Sequence, residues 1–166
     1  METILFRETQ RFRQPWLWIL LVAIAVLFGW ILVMRFLTGR LNGDYPVAPD
    51  LIFVLFSLVP FFVIILFWVM RLDTEISAKK IYIHFFPFLR REIPWEEVES
   101  AHIRRYNPIG EYGGWGIRLG LRSTAYCISG NTGLFLDMKS GRDLLIGTRK
   151  AEELKKVLES LGIREK

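Results

Sequence analysis

Two uncharged apolar stretches decide how this chain is built: PWLWILLVAIAVLFGWILVM at residues 15–34 and LIFVLFSLVPFFVIILFWVM at residues 51–70. Each has 20 residues, and as a helix each would measure roughly 30 Å, the thickness of the hydrocarbon core of a bilayer. Leu, Ile, Val and Phe number 12 in the first stretch and 16 in the second, which favours insertion by roughly 4–7 and 5–10 kcal/mol. The sequence therefore predicts two transmembrane helices, at about residues 15–37 and 50–70.

Two other interpretations of the apolar stretches are less favourable. The 96 residues after position 70 are too few to wrap both stretches as core helices of a soluble protein. A signal peptide would explain the arginines before the first stretch, but the apolar run continues nine residues beyond the cleavage-like Ala23-Ile24-Ala25. Residues 38–50 are rich in Gly, Pro, Asn and Asp, which is typical of a tight polar turn. We therefore expect residues 1–70 to form an N-terminal tail and a transmembrane hairpin, and residues 71–166 to form a separate domain.

The positions of Lys and Arg predict the orientation in the membrane. The link Thr38–Asp50 holds only Arg40, whereas cations are frequent on the other side of both spans: Arg7, Arg11 and Arg13 before the first, and Arg71, Lys79 and Lys80 after the second. Because cytoplasmic segments next to spans are enriched in Lys and Arg, both termini are predicted to be cytoplasmic. The predicted location is the plasma membrane, with several crossings and with the lipid bilayer as a partner.

Residues 71–166 show the pattern of short strands followed by one helix. Ile81, Ile83 and Phe85 alternate with polar or aromatic neighbours, as a half-buried strand does. Residues 95–98 are predicted to form one helical turn, and residues 107–114 a Gly-rich loop. One amphipathic helix is predicted at the end from its apolar stripe of Ala151, Leu154, Val157, Leu158 and Leu161. These elements predict an α+β membrane protein with a seven-stranded antiparallel barrel or sandwich capped by a C-terminal helix.

The composition argues against several functional classes. Cys127 is the one cysteine, which excludes a disulfide within the chain and a Cys-based zinc site. His84 and His102 leave little material for a metal cluster or a catalytic triad, so we predict no catalytic residues, no metal, no cofactor and no enzyme. The formal charge is +5, from 22 Lys+Arg and 17 Asp+Glu, but the basic residues are scattered among acids. Nucleic acid is therefore not an expected partner.

Four short motifs carry a family resemblance: Thr74-Glu75-Ile76 followed by Ile81-Tyr82-Ile83, then residues 93–98 (IPWEEV), residues 112–118 (YGGWGIR) and Ile146-Gly147-Thr148. In their order, and with two spans before them, they resemble bacterial membrane-anchored proteins with one pleckstrin-homology-like (PH-like) domain. The similarity covers about residues 71–161. It implies a PH-like fold tethered to the membrane, and such domains generally bind or scaffold rather than catalyse a reaction.

Two sets of residues are candidates for binding. The first is the Gly-rich loop with its neighbouring aromatic side chains, which would present a surface to a protein partner: Tyr106, Tyr112, Gly113, Gly114 and Trp115. The second is a basic set in two adjacent strand connections, which would lie near the anionic membrane surface: Lys79, Lys80, Arg90 and Arg91. Weak contact of this set with anionic lipid follows from its charge.

The function predicted from these features is recognition at a membrane. The hairpin would hold a PH-like module at the cytoplasmic leaflet, where the module binds a protein partner or associates with itself as a scaffold. Confinement to the membrane raises the effective concentration, so that weak contacts suffice. In the alternative function, the chain is a small accessory subunit of a membrane enzyme or transporter, and the spans themselves make the contact.

Overall fold

The computed structural model describes residues 3–42, 47–120 and 122–163, with the side chains of residues 36, 38–42, 47–50, 52 and 53 outside that description. The chain forms an α+β structure with two sheets, which confirms the predicted class. Its elements in order are β1 (Ile4–Arg11), α1 (Pro15–Asn42), α2 (Val47–Val69), β2 (Arg71–Ser77), β3 (Lys80–Phe86), β4 (Leu89–Pro94), a 3-10 turn (Trp95–Glu97), β5 (Val98–Arg105), α3 (Pro108–Tyr112), β6 (Gly116–Leu119), β7 (Ser123–Cys127), β8 (Thr132–Met138), β9 (Asp143–Gly147) and α4 (Ala151–Ser160).

The chain divides into two compact units. The first, called the head below, contains residues 1–12 and 70–166, and the second, the helical pair, contains residues 13–69. The predicted boundary at residue 70 is therefore wrong for the N-terminal segment, which belongs to the head and not with the two helices. Strand β1 pairs with β2 in antiparallel register, with Phe6 opposite Ile76 and Arg11 opposite Arg71. The helical pair is thus an insertion in the chain between two neighbouring strands of the head.

The sequence pattern did not indicate strand β1, because the buried face of this strand is partly polar. Phe6, Glu8 and Gln10 are buried and alternate with exposed residues, but only the first of them is apolar. Burying a carboxylate and an amide is tolerated where their hydrogen bonds are satisfied. The carboxylate of Glu8 accepts hydrogen bonds from the Thr148 hydroxyl and, at 2.8 Å, from the backbone N–H of Arg149. Gln10 donates from Nε2 to the carbonyl of Gly147 at 2.6 Å.

These bonds fasten β1 to the start of the last helix. The Glu8 carboxylate meets the chain two residues before Ala151, where α4 begins, and a negative charge is favourable near a helix N-terminus. Helix α4 contacts β1, β5 and β8, and buries Leu154 and Leu158. The predicted C-terminal helix is therefore present, and it packs against strands of both sheets.

Nine strands are found among the described residues, rather than the seven predicted. The first sheet, called sheet A, has the order β1-β2-β3-β4, and the second, sheet B, has the order β5-β8-β9-β7-β6. All neighbours pair antiparallel except β7 and β9, which are parallel. The prediction of an all-antiparallel arrangement is therefore wrong at this one pair. Within sheet B, β7 and β9 are buried on both faces, since consecutive residues such as Leu144 and Leu145 of β9 point to opposite sides and both are buried.

The helical pair consists of two long apolar helices in contact with each other. Of the described residues, the helix segment Pro15–Arg35 is long and apolar enough to cross a membrane, and only 6% of it is buried. The apolar segment described in α2, Val54–Val69, is shorter than that criterion requires, so the second span stays a prediction. The helices extend to Asn42 and begin again at Val47, which leaves a shorter link than the predicted 38–50. Trp18 and Trp68 pack edge to face at 6.1 Å.

Replacing Glu8 with alanine is expected to destabilise the junction between β1 and α4. The change leaves the Thr148 hydroxyl and the Arg149 amide without their acceptor, which costs about 1–3 kcal/mol. Hydrogen exchange of the amides in β9 and α4 should therefore become faster, because it reports local opening free energies. The matched control is Glu96→Ala, which removes an exposed carboxylate of the 3-10 turn. Equal exchange in the two variants would contradict the role given to Glu8.

Candidate functional site

The segment that was predicted to be a Gly-rich loop contains a short helix closed at both ends. Asn107 accepts hydrogen bonds at its Oδ1 from the amides of Ile109 and Gly110, at 3.2 and 3.0 Å. At the other end, the amide of Gly113 donates to the carbonyl of Ile109 at 2.9 Å, and Gly113 has a φ of 70°, which favours glycine. The sequence signal for this helix, Asn-Pro at its start and Gly at its end, was present but short.

Tyr106 and Tyr112 lie in the core of the head rather than on its surface. They are 4% and 8% exposed, and their rings meet edge to face at 6.0 Å. They belong to a cluster with Ala125, Cys127 and Leu145, called the aromatic cluster below. Trp115 packs against this cluster and donates from Nε1 to the carbonyl of Gly130 at 3.2 Å. The expectation that the two tyrosines form a contact surface for a partner is therefore wrong, because both rings are buried in this cluster.

The hydroxyl groups of the two tyrosines have different surroundings. The Tyr112 hydroxyl lies 2.7 Å from Ser123 Oγ and accepts from Arg104 Nη2 at 3.2 Å. Arg104 is in turn paired with Glu111 at 3.0 Å. The buried Tyr106 hydroxyl has no partner in hydrogen-bonding geometry among the described residues, and its polar neighbour is Cys127. One tyrosine is thus tied into a polar network, and the other packs mainly as an aromatic ring.

Burial changes the acidity of two groups in the aromatic cluster. It raises the pKa of the Tyr106 hydroxyl far above its ordinary value, and the adjacent Cys127 adds to the shift. Burial also raises the pKa of the Cys127 thiol, although Tyr106 and the backbone of Gly116 partly offset this. Because the thiolate is the reactive form of cysteine, a raised pKa makes this thiol inert at neutral pH. The cluster therefore acts as a packed support.

Two exposed apolar residues lie close in sequence to members of the aromatic cluster. The sequence pattern gave no indication that they are exposed. Ile109 on α3 is 66% exposed, and Leu119 at the end of β6 is 74% exposed. In the structure β6 is a four-residue edge strand that ends at Leu119, so no further strand covers this residue. Together Ile109 and Leu119 are called the apolar pair below.

The predicted basic set is not brought together. Arg90 and Arg91 belong to strand β4 rather than to a connection, and as consecutive strand residues they point to opposite faces. Lys80 lies opposite Pro94, four residues along β4 from Arg90, or about 13 Å at 3.3 Å per residue. Lys80 is also paired with Glu92 at 2.8 Å. Lys79 and Lys80 therefore mark one end of sheet A, and Arg90 lies near the other.

The outer face of sheet A carries a chain of polar contacts around Asp73. Its carboxylate accepts from the Thr9 hydroxyl at 2.7 Å, and it pairs with Arg71 Nε at 3.0 Å. His84 Nδ1 lies 3.7 Å away on the neighbouring strand, and His84 Nε2 accepts from Arg90 Nε at 3.2 Å. No group of three His, Cys, Asp or Glu side chains that could hold a metal ion is found in the part of the chain that the structure describes.

Phenylalanine substitutions should separate the roles of the two tyrosines. Tyr112→Phe removes the partner of Ser123 and Arg104 and is expected to lower the free energy of unfolding by about 1 kcal/mol. Tyr106→Phe should leave it unchanged or raise it slightly, since that hydroxyl is buried without a hydrogen bond. Calorimetric unfolding of the detergent-solubilised protein measures both. An equal loss of stability in Tyr106→Phe would mean that its hydroxyl has a bonded partner.

The reactivity of Cys127 should depend on pH and on folding. An unfolded thiol ionises near pH 8.5, whereas the folded thiol stays neutral to higher pH. The stability from burying the neutral thiol is thus fully present below about pH 8.5, and it declines as the pH rises above that value. A maleimide reagent at pH 8 should modify the folded protein much more slowly than the guanidinium-unfolded protein. Similar rates in the two states would contradict the burial of this thiol.

Comparison of the chain with protein-family models, with curated proteins and with solved structures finds no match. The resemblance to PH-like domains therefore rests on the sequence motifs alone and stays a prediction. The structure of the head gives independent grounds for a functional proposal, namely the insertion of the helical pair between β1 and β2, the apolar pair, and the separation of the basic residues along sheet A.

Proposed function

We propose that the chain is an integral membrane protein whose head is a binding or scaffolding module, located at the cytoplasmic face of the plasma membrane. The observation that carries the proposal is the pairing of Arg11 with Arg71 across β1 and β2. Two strands paired in one folded sheet must lie on the same side of a bilayer. If α1 crosses the membrane, the chain must cross back before Arg71, and α2 is the element available for that crossing.

The properties of the helices support two crossings. Helix α1 has 28 residues and α2 has 23, which give lengths of roughly 42 and 34 Å at 1.5 Å per residue. Large apolar side chains cover the described outer faces of both helices, with Leu27 and Phe62 among the exposed ones. Such surfaces are unfavourable in water and favourable in hydrocarbon, at about 25 cal/mol per Å². The positive-inside pattern around Arg7, Arg11 and Arg13 supports a cytoplasmic head.

The recognition role is supported by the apolar pair. Ile109 and Leu119 are exposed on segments that the aromatic cluster holds in place from inside, through Tyr112 and Trp115. Apolar side chains presented on a rigid support suit a protein contact, because little conformational entropy is lost on binding. A PH-like relationship of the head, with its two sheets and closing helix α4, is part of this proposal. A protein partner or a second copy of the chain would bind there.

The alternative, an accessory subunit that binds through its helices, is favoured by one observation. An apolar recess of about 270 Å³ lies between α1 and α2. Leu21, Ile24 and Phe28 line it from one helix, and Phe56, Val59, Pro60 and Val63 from the other. An apolar side chain of another membrane helix would fit this surface. In this alternative, the contact with the larger assembly is made inside the bilayer and not by the head.

Site-specific photo-crosslinking in intact cells tests both functions. A photoreactive amino acid at position 109 or 119 should form discrete adducts, because the apolar pair lies in the contact. The same residue at position 79 should form none, since Lys79 is exposed in a turn at the far end of sheet A. The membranes are then washed with alkaline carbonate, which an integral protein resists.

The pattern of adducts distinguishes the outcomes. The same photoreactive residue is also placed at position 28, in the recess between the helices. Adducts from this position alone would favour the accessory subunit. Release of the chain by carbonate would refute the membrane proposal. Adducts from position 79 as strong as those from positions 109 and 119 would refute the role of the apolar pair.

A further inference from the structure

Both connections to the helical pair leave the head at one end of sheet A. Arg11, the last residue of β1, is opposite Arg71, the first residue of β2. Arg71 is in turn opposite Phe86, the last residue of β3. Directly opposed residues of neighbouring antiparallel strands point to the same face, and this is the outer face, because Gln10 and Leu72 are buried on the other one.

The turn between β3 and β4 lies at this same end. Pro87 and Phe88 form the turn, which is closed by a hydrogen bond of 2.8 Å from the Phe88 amide to the carbonyl of Phe85. The side chain of Phe88 is 57% exposed at the tip. The strands of this hairpin cannot cover the Phe88 ring, because the turn has only two residues and the ring lies at its tip.

Three arginines lie near this end of sheet A. Arg11 and Arg90 are both exposed, and the half-exposed Arg71 places its guanidinium 5.3 Å from the centre of the Phe86 ring. The charge of Arg71 is paired with the Asp73 carboxylate, and Arg90 donates a hydrogen bond to Nε2 of His84. The set Arg11, Arg71, Phe86, Phe88 and Arg90 is called the basic aromatic edge below. It combines an exposed aromatic ring with several arginines. Such a combination suits contact with an anionic bilayer surface.

The covalent chain restricts how far this edge can be from the apolar helices. Only Met70 separates the end of α2 at Val69 from Arg71, and only residues 12–14 separate Arg11 from Pro15. Since a residue extends the chain by at most about 3.6 Å, Arg71 lies within about 7 Å of α2 and Arg11 within about 14 Å of α1. If the helices span a bilayer, this end of sheet A is necessarily at its surface.

We propose that the basic aromatic edge is a lipid-contact site, in which Phe88 enters the headgroup region and the arginines bind anionic phosphate groups. The inference rests on the proposed membrane function and adds a second attachment point for the head. With three strands of sheet A held at the bilayer, the head keeps one orientation toward the membrane. Lys79 and Lys80 lie six or more residues away along β2, or about 20 Å, so they face away from the lipid.

Spin-label accessibility in nanodiscs tests the site with the full chain. Cysteines replace Phe88, Val26 and Lys79 one at a time in a Cys127→Ala background, and each carries a nitroxide. The discs contain phosphatidylcholine with or without phosphatidylglycerol. The ratio of oxygen to nickel-complex accessibility rises with depth in the bilayer. The ratio at position 88 is expected to be several-fold higher than at position 79, which serves as the solvent-exposed control, and to stay below that at position 26, which lies in the middle of the proposed span of α1.

The outcomes separate this inference from the membrane proposal. A water-like label at 88 together with a lipid-like label at 26 overturns the lipid-contact site and leaves the membrane protein intact. Water-like labels at both positions overturn the membrane proposal and the site with it.

A charge variant tests the arginines separately. Arg90→Glu should lower the ratio at position 88 in the anionic discs, and Arg90→Lys should preserve it. If Arg90→Glu has no effect there, the role of the arginines is refuted.

Discussion

The pairing of β1 with β2 is the constraint on which the rest of the structure depends. It closes a separation of 60 residues between Arg11 and Arg71, and it converts the helical pair from an N-terminal anchor into an insertion. The same strand carries Glu8, whose carboxylate meets Thr148 and Arg149 at the start of α4. The first and last elements of the head are thus joined by one buried residue. Because that residue is charged, its position is fixed by specific donors and not by hydrophobic burial alone.

Local patterns in the sequence were sufficient for elements whose inner face is apolar. Ile81, Ile83 and Phe85 are all buried in β3, and the stripe of α4 buries Leu154 and Leu158, as their periodicity indicates. Strand β1 could not be found in this way, since its inward Glu8 and Gln10 look like surface residues until their partners 137–141 positions away are known. The prediction of the candidate site was wrong for the opposite reason, because residues expected at the surface are buried. Tyr106 and Tyr112 suggested a contact surface, but caps and long-range packing decide whether an aromatic ring faces inward.

The two surfaces proposed for the head are supported by different parts of the fold. The apolar pair is presented by α3 and β6, which pack on the aromatic cluster, and the basic aromatic edge belongs to the ends of β1, β2 and β3. Leu119 belongs to sheet B, whereas the basic aromatic edge belongs to sheet A. This arrangement suits a module that is held at a bilayer and binds a partner elsewhere. Lys79 and Arg90 are close in sequence and alike in charge, but they do not form one site because they lie near opposite ends of sheet A.

The position of the helical pair within the chain has a consequence for biosynthesis. Strand β1 is translated before α1, but its partner β2 emerges from the ribosome only after all of α1 and α2. Sheet A is therefore incomplete while the two apolar helices are being synthesised. In the meantime Glu8 and Gln10, which are well hydrated in an extended chain, keep the waiting segment from collapsing or aggregating. A strand with an apolar inner face would be exposed to misassociation throughout that interval, so its polarity protects the nascent chain as well as connecting the finished fold.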